Sequence, residues 1–232
     1  MCMDFSRKGQ TDHYQESAVT VVMEKNMFNV VTIAREYGSG GADIGRKLAE
    51  LLGWECVDKQ IIERVATMGK VDASWAEEAD EHTNAWWERV MKGFRYGGPL
   101  SYAGKVAGAD DVDHDALQQF TAKVIEVAAK ESKCVIIGRS AQCVLRLHPH
   151  VLHVLVYAPL AEKVKRMKLR HPDEHDLQSL LHRIDSERTH YTQNYYGHDW
   201  SDRGLYHLCV NSTLGIEACA TLIEQIIDWK PD

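Results

Sequence analysis

Several of the marks that would place this chain in a specialised class are missing. No run approaches the ~20 apolar residues of a membrane-spanning helix. The opening stretch 1–28 lacks the basic-then-apolar order of an export signal. Cytoplasm is therefore the expected location, with 1–27 read as a loose polar tail. Cysteine occurs six times, as Cys2, Cys56, Cys134, Cys143, Cys209 and Cys219, but never as a CxxC pair. Several of these fall inside apolar runs, so buried, reduced thiols are expected rather than a disulfide framework. Twelve histidines include none with HExxH spacing or cysteine partners, which excludes a zinc site. Asp111, Asp113 and Asp115 begin like a calcium loop, but Ala116 and Ala122 stand where the turn glycine and the bidentate acid are required.

Positive charge is also short. Lys and Arg total 27 against 34 Asp and Glu, a formal net charge of −7. That balance excludes nucleic acid or an anionic membrane as the main partner. A small phosphorylated ligand still fits, because a local basic site can sit within an acidic protein. The 232 residues are enough for one substantial core, and the sequence says nothing about oligomeric state.

What is present is an alternation of strands and helices. A β-branched run over 29–34 predicts a strand. A glycine-rich stretch from Arg35 to Gly45 follows. Ile44, Leu48, Leu51 and Leu52 then predict an amphipathic helix ending at Gly53. A short strand over 54–57 leads to Asp58 and a helix through Ile61, Ile62 and Val65. The segment 70–115 is acidic and carries Trp75, Trp86 and Trp87, then turns glycine-rich from Gly93 to Gly108. It reads as a helical insertion followed by a mobile loop. Further elements are a helix over 117–129, strands over 134–137 and 152–157, and helices over about 160–170 and 174–194. A strand over 207–210 and a helix over 216–229 close the chain. Near-continuous apolar strands alternating with helices indicate an α/β fold whose parallel sheet is covered on both faces.

Gly38, Gly40 and Gly41 lie between a strand and a helix, and Gly45 falls in the first turn of that helix. Glycines there let backbone N–H groups approach an anion, and the helix amino terminus adds about half a positive charge. Phosphate binding is the expected role. Two loop types compete. GSGGADIG is not the GxGxxG of a dinucleotide site, although Asp58 stands where a ribose-binding acid belongs. A phosphoryl-transfer loop of the GxxxxGK(S/T) kind is imperfect in either register. Starting at Gly40, it runs into Arg46-Lys47 without a hydroxyl. Counted from the strand end, Gly41 stands where the phosphate lysine belongs, and Asp43, two positions on, is read in place of the Ser/Thr hydroxyl.

The run from Val30 to Ala66, including REYGSGG at 35–41, resembles the start of the cytidylate kinase-like family, a branch of the P-loop nucleoside-monophosphate kinases. The segment 183–217 resembles that family's lid and final strand–helix, with Gly138-Arg139 between them. The resemblance implies a three-layer P-loop NTPase-type fold: a five-stranded parallel sheet with a helical insertion at 70–115 and a helical lid at 165–204, forming one domain over 28–232. It implies ATP and Mg2+ as cofactors and small nucleotides as substrates. ATP phosphates would rest on Arg35, Gly38, Ser39, Gly40, Gly41, Ala42, Asp43, Ile44 and Gly45. Asp58, Arg64 and Arg139 would hold the acceptor. Arg188, Arg139 and Arg46 would act on the transferring group, and Asp43 would anchor the metal. The family often has a basic residue where this chain has Ala42, which leaves the donor site one cation poorer.

Phosphoryl transfer needs positioning and cations around a loose transition state, and Arg35, Arg46, Lys47, Arg64, Arg139 and Arg188 supply them. The resemblance also offers Arg166, Arg170 and Arg183 as lid arginines beside Arg188, but the residues themselves read as a solvated helix face. Trp86 and Trp87 read as helix packing, and Tyr191, Tyr195 and Tyr196 as packing of the lid helix. The expected activity is ATP-dependent phosphorylation of a nucleoside monophosphate, CMP or dCMP first. Two other readings stay open: a nucleotide-binding regulator with feeble catalysis, and a dinucleotide-dependent oxidoreductase.

Overall fold

The computed structural model describes residues 28–59 and 114–229. The helix expected through Val65, Arg64 itself and nearly all of the 70–115 insertion lie outside these residues. Strand β1 (Val30–Arg35) is apolar along almost its whole length because both of its faces are covered. Helix α1 (Gly41–Leu52) starts after the glycine turn, and Gly53 in a left-handed conformation ends it. Then come β2 (Glu55–Val57), α2 (His114–Glu131), β3 (Cys134–Ile137) and the short α3 (Ala141–Val144). The chain continues through β4 (Val151–Tyr157), α4 (Leu160–Arg170), α5 (Leu177–Tyr196), β5 (Leu208–Asn211) and α6 (Ile216–Asp228).

The five strands are parallel in the order β2-β3-β1-β4-β5. Helix α1 and α6 cover one face, where Ile44 and Leu48 pack with Val31, Ile33, Ala220 and Ile223. Helix α2 and the start of α3 cover the other through Phe120, Val124, Ile125 and Ala141. This is the expected three-layer α/β architecture of P-loop type. Helices α4 and α5 stand apart on a small apolar cluster of Met167, Leu177 and Leu181, which also takes in Tyr37 from the glycine turn. No helix among the described residues is long and apolar enough to cross a membrane.

Chain connections leave β1 toward β2 and β3 on one side and toward β4 and β5 on the other. In open parallel sheets, ligands bind at the carboxyl ends of the strands, where the order diverges in this way. That edge here carries Arg35 at the end of β1, Asp58 after β2, Gly138-Arg139 after β3 and Ser212 after β5.

Every strand and helix expected within the described residues is present, with bounds within three residues of those expected. Helix α3 was not foreseen. Its entry uses three consecutive left-handed residues: Gly138 (φ 77), Arg139 (φ 57) and Ser140 (φ 53). Two of these are not glycine, so the turn is strained by of order 1 kcal/mol or more for each. Cys209 is exposed, which corrects the expectation of uniformly buried thiols. Cys134 and Cys219 are buried, and Cys56, Cys143 and Cys209 are also free thiols.

Candidate functional site

The glycine turn connects β1 to α1 at the sheet's carboxyl edge. Gly38 and Gly40 have φ near +80, which a side chain would resist. Gly38 also lies under the α4–α5 pair, where a Cβ would meet Leu181, Met167 and Lys163 at 3.0–3.2 Å. The amide N–H groups of Gly38, Gly40 and Ala42 donate to no acceptor among the described residues. They sit at the amino end of a 12-residue helix, where a phosphate group is favoured.

Hydrogen bonds from distant parts of the chain fix the turn. Ser39 donates its hydroxyl to the Glu36 carbonyl at 2.8 Å. The Ser39 carbonyl accepts from Arg166 Nη1 at 2.6 Å and from Ser212 Oγ at 2.5 Å. Arg166 also donates to Ser212 Oγ at 2.8 Å and to the Ser212 carbonyl at 2.9 Å. Glu36 accepts from Lys163 Nζ at 2.9 Å and from the Ala158 N–H at 3.3 Å. The Tyr37 N–H donates to Asp185 Oδ1 of α5 at 2.8 Å, and its hydroxyl is 3.1 Å from His171 Nε2. Arg166 is thus a loop-positioning residue and not part of a solvated face. Its partners lie 127 and 46 residues away, beyond any local pattern.

Four arginines converge on the turn. The Arg35 side chain crosses Gly41 and ends over Gly138, where an added Cβ would overlap its guanidinium. Burial, then the charges of Arg188, Arg139 and Arg46, push its pKa down to about 10, with Asp58 opposing them. Arg35 remains protonated at neutral pH. Arg188 donates to the Arg35 carbonyl at 2.8 Å and to Asp185 Oδ1 at 2.9 Å, and lies 5.6 Å from the centre of the Tyr37 ring. Burial lowers the Arg188 pKa, with Asp185 pulling the other way. The Asp185 carboxyl is raised by burial despite its Tyr37 and Arg188 partners. Like charges gathered this closely in a part-buried crevice favour a polyanion.

Asp43 stands in the first turn of α1. Its oxygens accept from Arg46 at 2.7 Å and from Arg170 at 2.5 Å. Burial would raise its pKa, but these two guanidinium hydrogen bonds hold it below the ordinary value. Arg46 also lies 3.8 Å from Asp58, so Arg46, Asp43 and Asp58 form one group beside the turn. A hard cation needs oxygen ligands, and Asp43 offers a carboxylate only in competition with two arginines. Among the described residues no group of three or more His, Cys, Asp or Glu is placed to hold a metal.

Two expectations are corrected. Lys47 does not face the cradle: it pairs with Glu50 at 3.3 Å and Glu217 at 3.5 Å on the α1–α6 surface. Arg170 is tied to Asp43, whereas Arg183 is exposed beside Glu187, as a solvated face requires. Tyr191, Tyr195 and Tyr196 cluster together, with ring centres 5.0 and 6.4 Å from Tyr191. Asp115 lies in the first turn of α2 and accepts from Tyr195, as a helix-start carboxylate does, whereas Asp111 and Asp113 lie outside the described residues. Arg64 lies outside the described residues.

A parallel sheet with a glycine turn, open amide donors and converging arginines at its carboxyl edge defines a phosphate-binding α/β protein of the P-loop kinase class. The sequence profile of the cytidylate kinase-like family matches residues 30–214. The chain belongs to that family, which makes phosphoryl transfer its class of chemistry and implies ATP as donor with magnesium.

Among solved structures, an uncharacterized protein from Eubacterium ventriosum superposes with a TM-score of 0.62 at 19% identity, covering 87% of this chain and 99% of its own. Shikimate kinase from Acinetobacter baumannii, solved in complex with shikimate, gives a TM-score of 0.46 at 18% identity over 86% and 93% of the two chains. Shikimate kinase from Bacteroides thetaiotaomicron gives 0.47 at 11% identity, over 86% and 98%. No functionally curated protein matches the sequence significantly.

Proposed function

We propose that this protein transfers the terminal phosphoryl group of ATP, with magnesium, to a nucleoside monophosphate, CMP or dCMP first. The observation that carries this reading is the convergence of Arg35, Arg46, Arg139 and Arg188 on a glycine turn with open amide donors. The turn from Gly38 to Gly45 is assigned to the ATP phosphates. Asp58, Arg64 and Arg139 are assigned to the acceptor, with the 70–115 insertion on the acceptor side. The lid is assigned to 165–204, which takes in the second half of α4 and all of α5.

Asp43 would be the protein anchor for magnesium, directly or through water, and the ion would supply charge neutralisation at the transferring phosphate. Planar guanidinium groups bind phosphate through paired bonds and neutralise charge spread over the transferring group. Closure of the lid excludes water and limits ATP hydrolysis.

The presence of Gly41 in place of a loop lysine, and the commitment of Asp43 to Arg46 and Arg170, favour one alternative: a nucleotide-binding regulator with feeble catalysis. ADP release measured across a panel of nucleoside monophosphates, with a no-acceptor control, separates the readings. Turnover within ~1–100 s⁻¹ confined to CMP and dCMP is the expected result. ATP binding without turnover on any acceptor sinks the kinase proposal and leaves the regulator. NADH binding with no response to ATP would replace both with a dinucleotide enzyme.

A further inference from the structure

Counted from the end of β1, the GxxxxGK pattern places its first glycine at position 35, its second at Gly40 and its lysine at position 41. This chain has Arg35 and Gly41 there. We propose that the two positions have exchanged roles: Arg35, emerging from the end of β1, supplies the cation that the loop lysine ordinarily supplies, and Gly41 is the gap through which its side chain passes. The inference rests on the phosphate-cradle reading above and names the residue that makes the cradle work.

The geometry shows why the exchange is reciprocal. A Cβ at position 41 would lie 2.5 Å from Arg35 Cβ, 3.2 Å from Arg35 Cγ and 3.1 Å from Val156 Cβ. The first distance is shorter than any packed pair of carbons allows, and it involves atoms too near the backbone to swing away. A side chain at 35 therefore demands glycine at 41, and a lysine at 41 demands glycine at 35.

Further along, the Arg35 guanidinium rests on Gly138, where a Cβ would overlap it. Glycine at 138 is thus required twice: for a left-handed turn with φ 77, and for space above it. The base of the side chain is held firmly. Arg35 is paired with Val156 in the β1–β4 ladder, and Arg188 donates to its carbonyl at 2.8 Å. Its guanidinium has no hydrogen-bond acceptor among the described residues. A desolvated, preorganised cation whose stem passes the glycine turn is suited to phosphate oxygens held there.

Charge and space can be exchanged back by mutation. Binding of ATP and of inorganic tripolyphosphate to the full chain would be measured by calorimetry, with thermal unfolding as the check on folding. Arg35→Gln keeps the stem as far as Cδ and removes the charge, and is expected to weaken both ligands at least fivefold, whereas Arg35→Lys retains most of the affinity. Gly41→Lys alone is expected to lower the unfolding temperature, because its Cβ has no room. The double variant Arg35→Gly/Gly41→Lys restores the ordinary motif and is expected to bind at least fivefold more tightly than Arg35→Gly.

A smaller loss in Arg35→Gln, with ATP still bound by the native chain, overturns the cation assignment and leaves the phosphate cradle standing. A folded double variant no tighter than Arg35→Gly overturns the exchange. If that variant does not fold, the Gln and Lys pair decides the matter alone. Native protein that binds neither ATP nor tripolyphosphate overturns both this inference and the proposed function.

Discussion

Arg166 shows how one side chain can set the shape of a loop it does not belong to. Its guanidinium joins the Ser39 carbonyl to the hydroxyl and carbonyl of Ser212, so the turn is held by α4 and by the end of β5 at once. Charged hydrogen bonds of this kind contribute about 1.5–3 kcal/mol each where they are well desolvated, and this one is half-buried. Arg166→Gln is expected to raise the KM for ATP about five- to twentyfold while kcat changes less. A drop in thermal stability with unchanged ATP affinity would show that Arg166 only braces the fold. The same residue marks a limit of sequence reasoning. Arg166 sits in a helix rich in lysine and arginine, and no local pattern distinguishes the one turned inward. Lys47 failed in the opposite sense: its neighbour Arg46 faces Asp43 and Asp58, while Lys47, one position on, points to Glu50 and Glu217.

At the level of elements, an unusual polar contact inside the sheet layer joins β1, β4 and the residue that precedes β5. His153 of β4 accepts from or donates to Thr32 Oγ1 at 2.8 Å, and its ring stacks on His207 at 5.1 Å between centres. The His153 N–H donates to His207 Nδ1 at 2.9 Å, and Phe28 packs 6.4 Å from His207. Burial, then the neighbouring His207, push the His153 pKa down to about 4. The unfolded chain takes up this proton near pH 6.5, whereas the folded chain resists it until about 4. Stability attributable to His153 is therefore complete above pH 6.5, falls as pH drops from 6.5 to 4 and is fully lost below. The loss is at most ~3 kcal/mol, and nearer half that once solvent screening is allowed for. Unfolding temperatures between pH 7.5 and 4.5 should fall less steeply in His153→Gln than in the native chain; parallel slopes would rule this out. Elements of this kind were legible where hydrophobic pattern alone decides them. Strands β1, β3 and β4 are apolar runs, and α1 shows its Ile44–Leu48 stripe beside Gly53. Helix α3 was not legible, because four residues carry no period and its entry depends on left-handed Arg139 and Ser140. Helix α5 begins later than its charge pattern suggested, because Asp176 caps it by accepting from the Ser179 N–H.

For the molecule as a whole, the sheet is the frame that turns separate strand ends into one site. Leu48 is fully buried between α1, the sheet and α6. Leu48→Ala should cost about 2–5 kcal/mol and lower the unfolding temperature by roughly 5–20 °C. If ATP affinity at low temperature then stays within about twofold, the core and the cradle are energetically separable. An equal loss of both would show that loop geometry depends on the packing beneath it. The fold class could be read because alternating apolar strands and amphipathic helices admit few arrangements. The site could be read only in part, because its arginines come from four elements that meet only in three dimensions. The bond from Ser212 to the Ser39 carbonyl spans 173 residues, and it has a consequence for the order in which the protein matures. At ~5–20 residues per second, a ribosome makes Ser39 roughly 10–35 s before Ser212. A growing chain thus displays its glycines long before they are braced, and its grip on a nucleotide is acquired late, when β5 arrives.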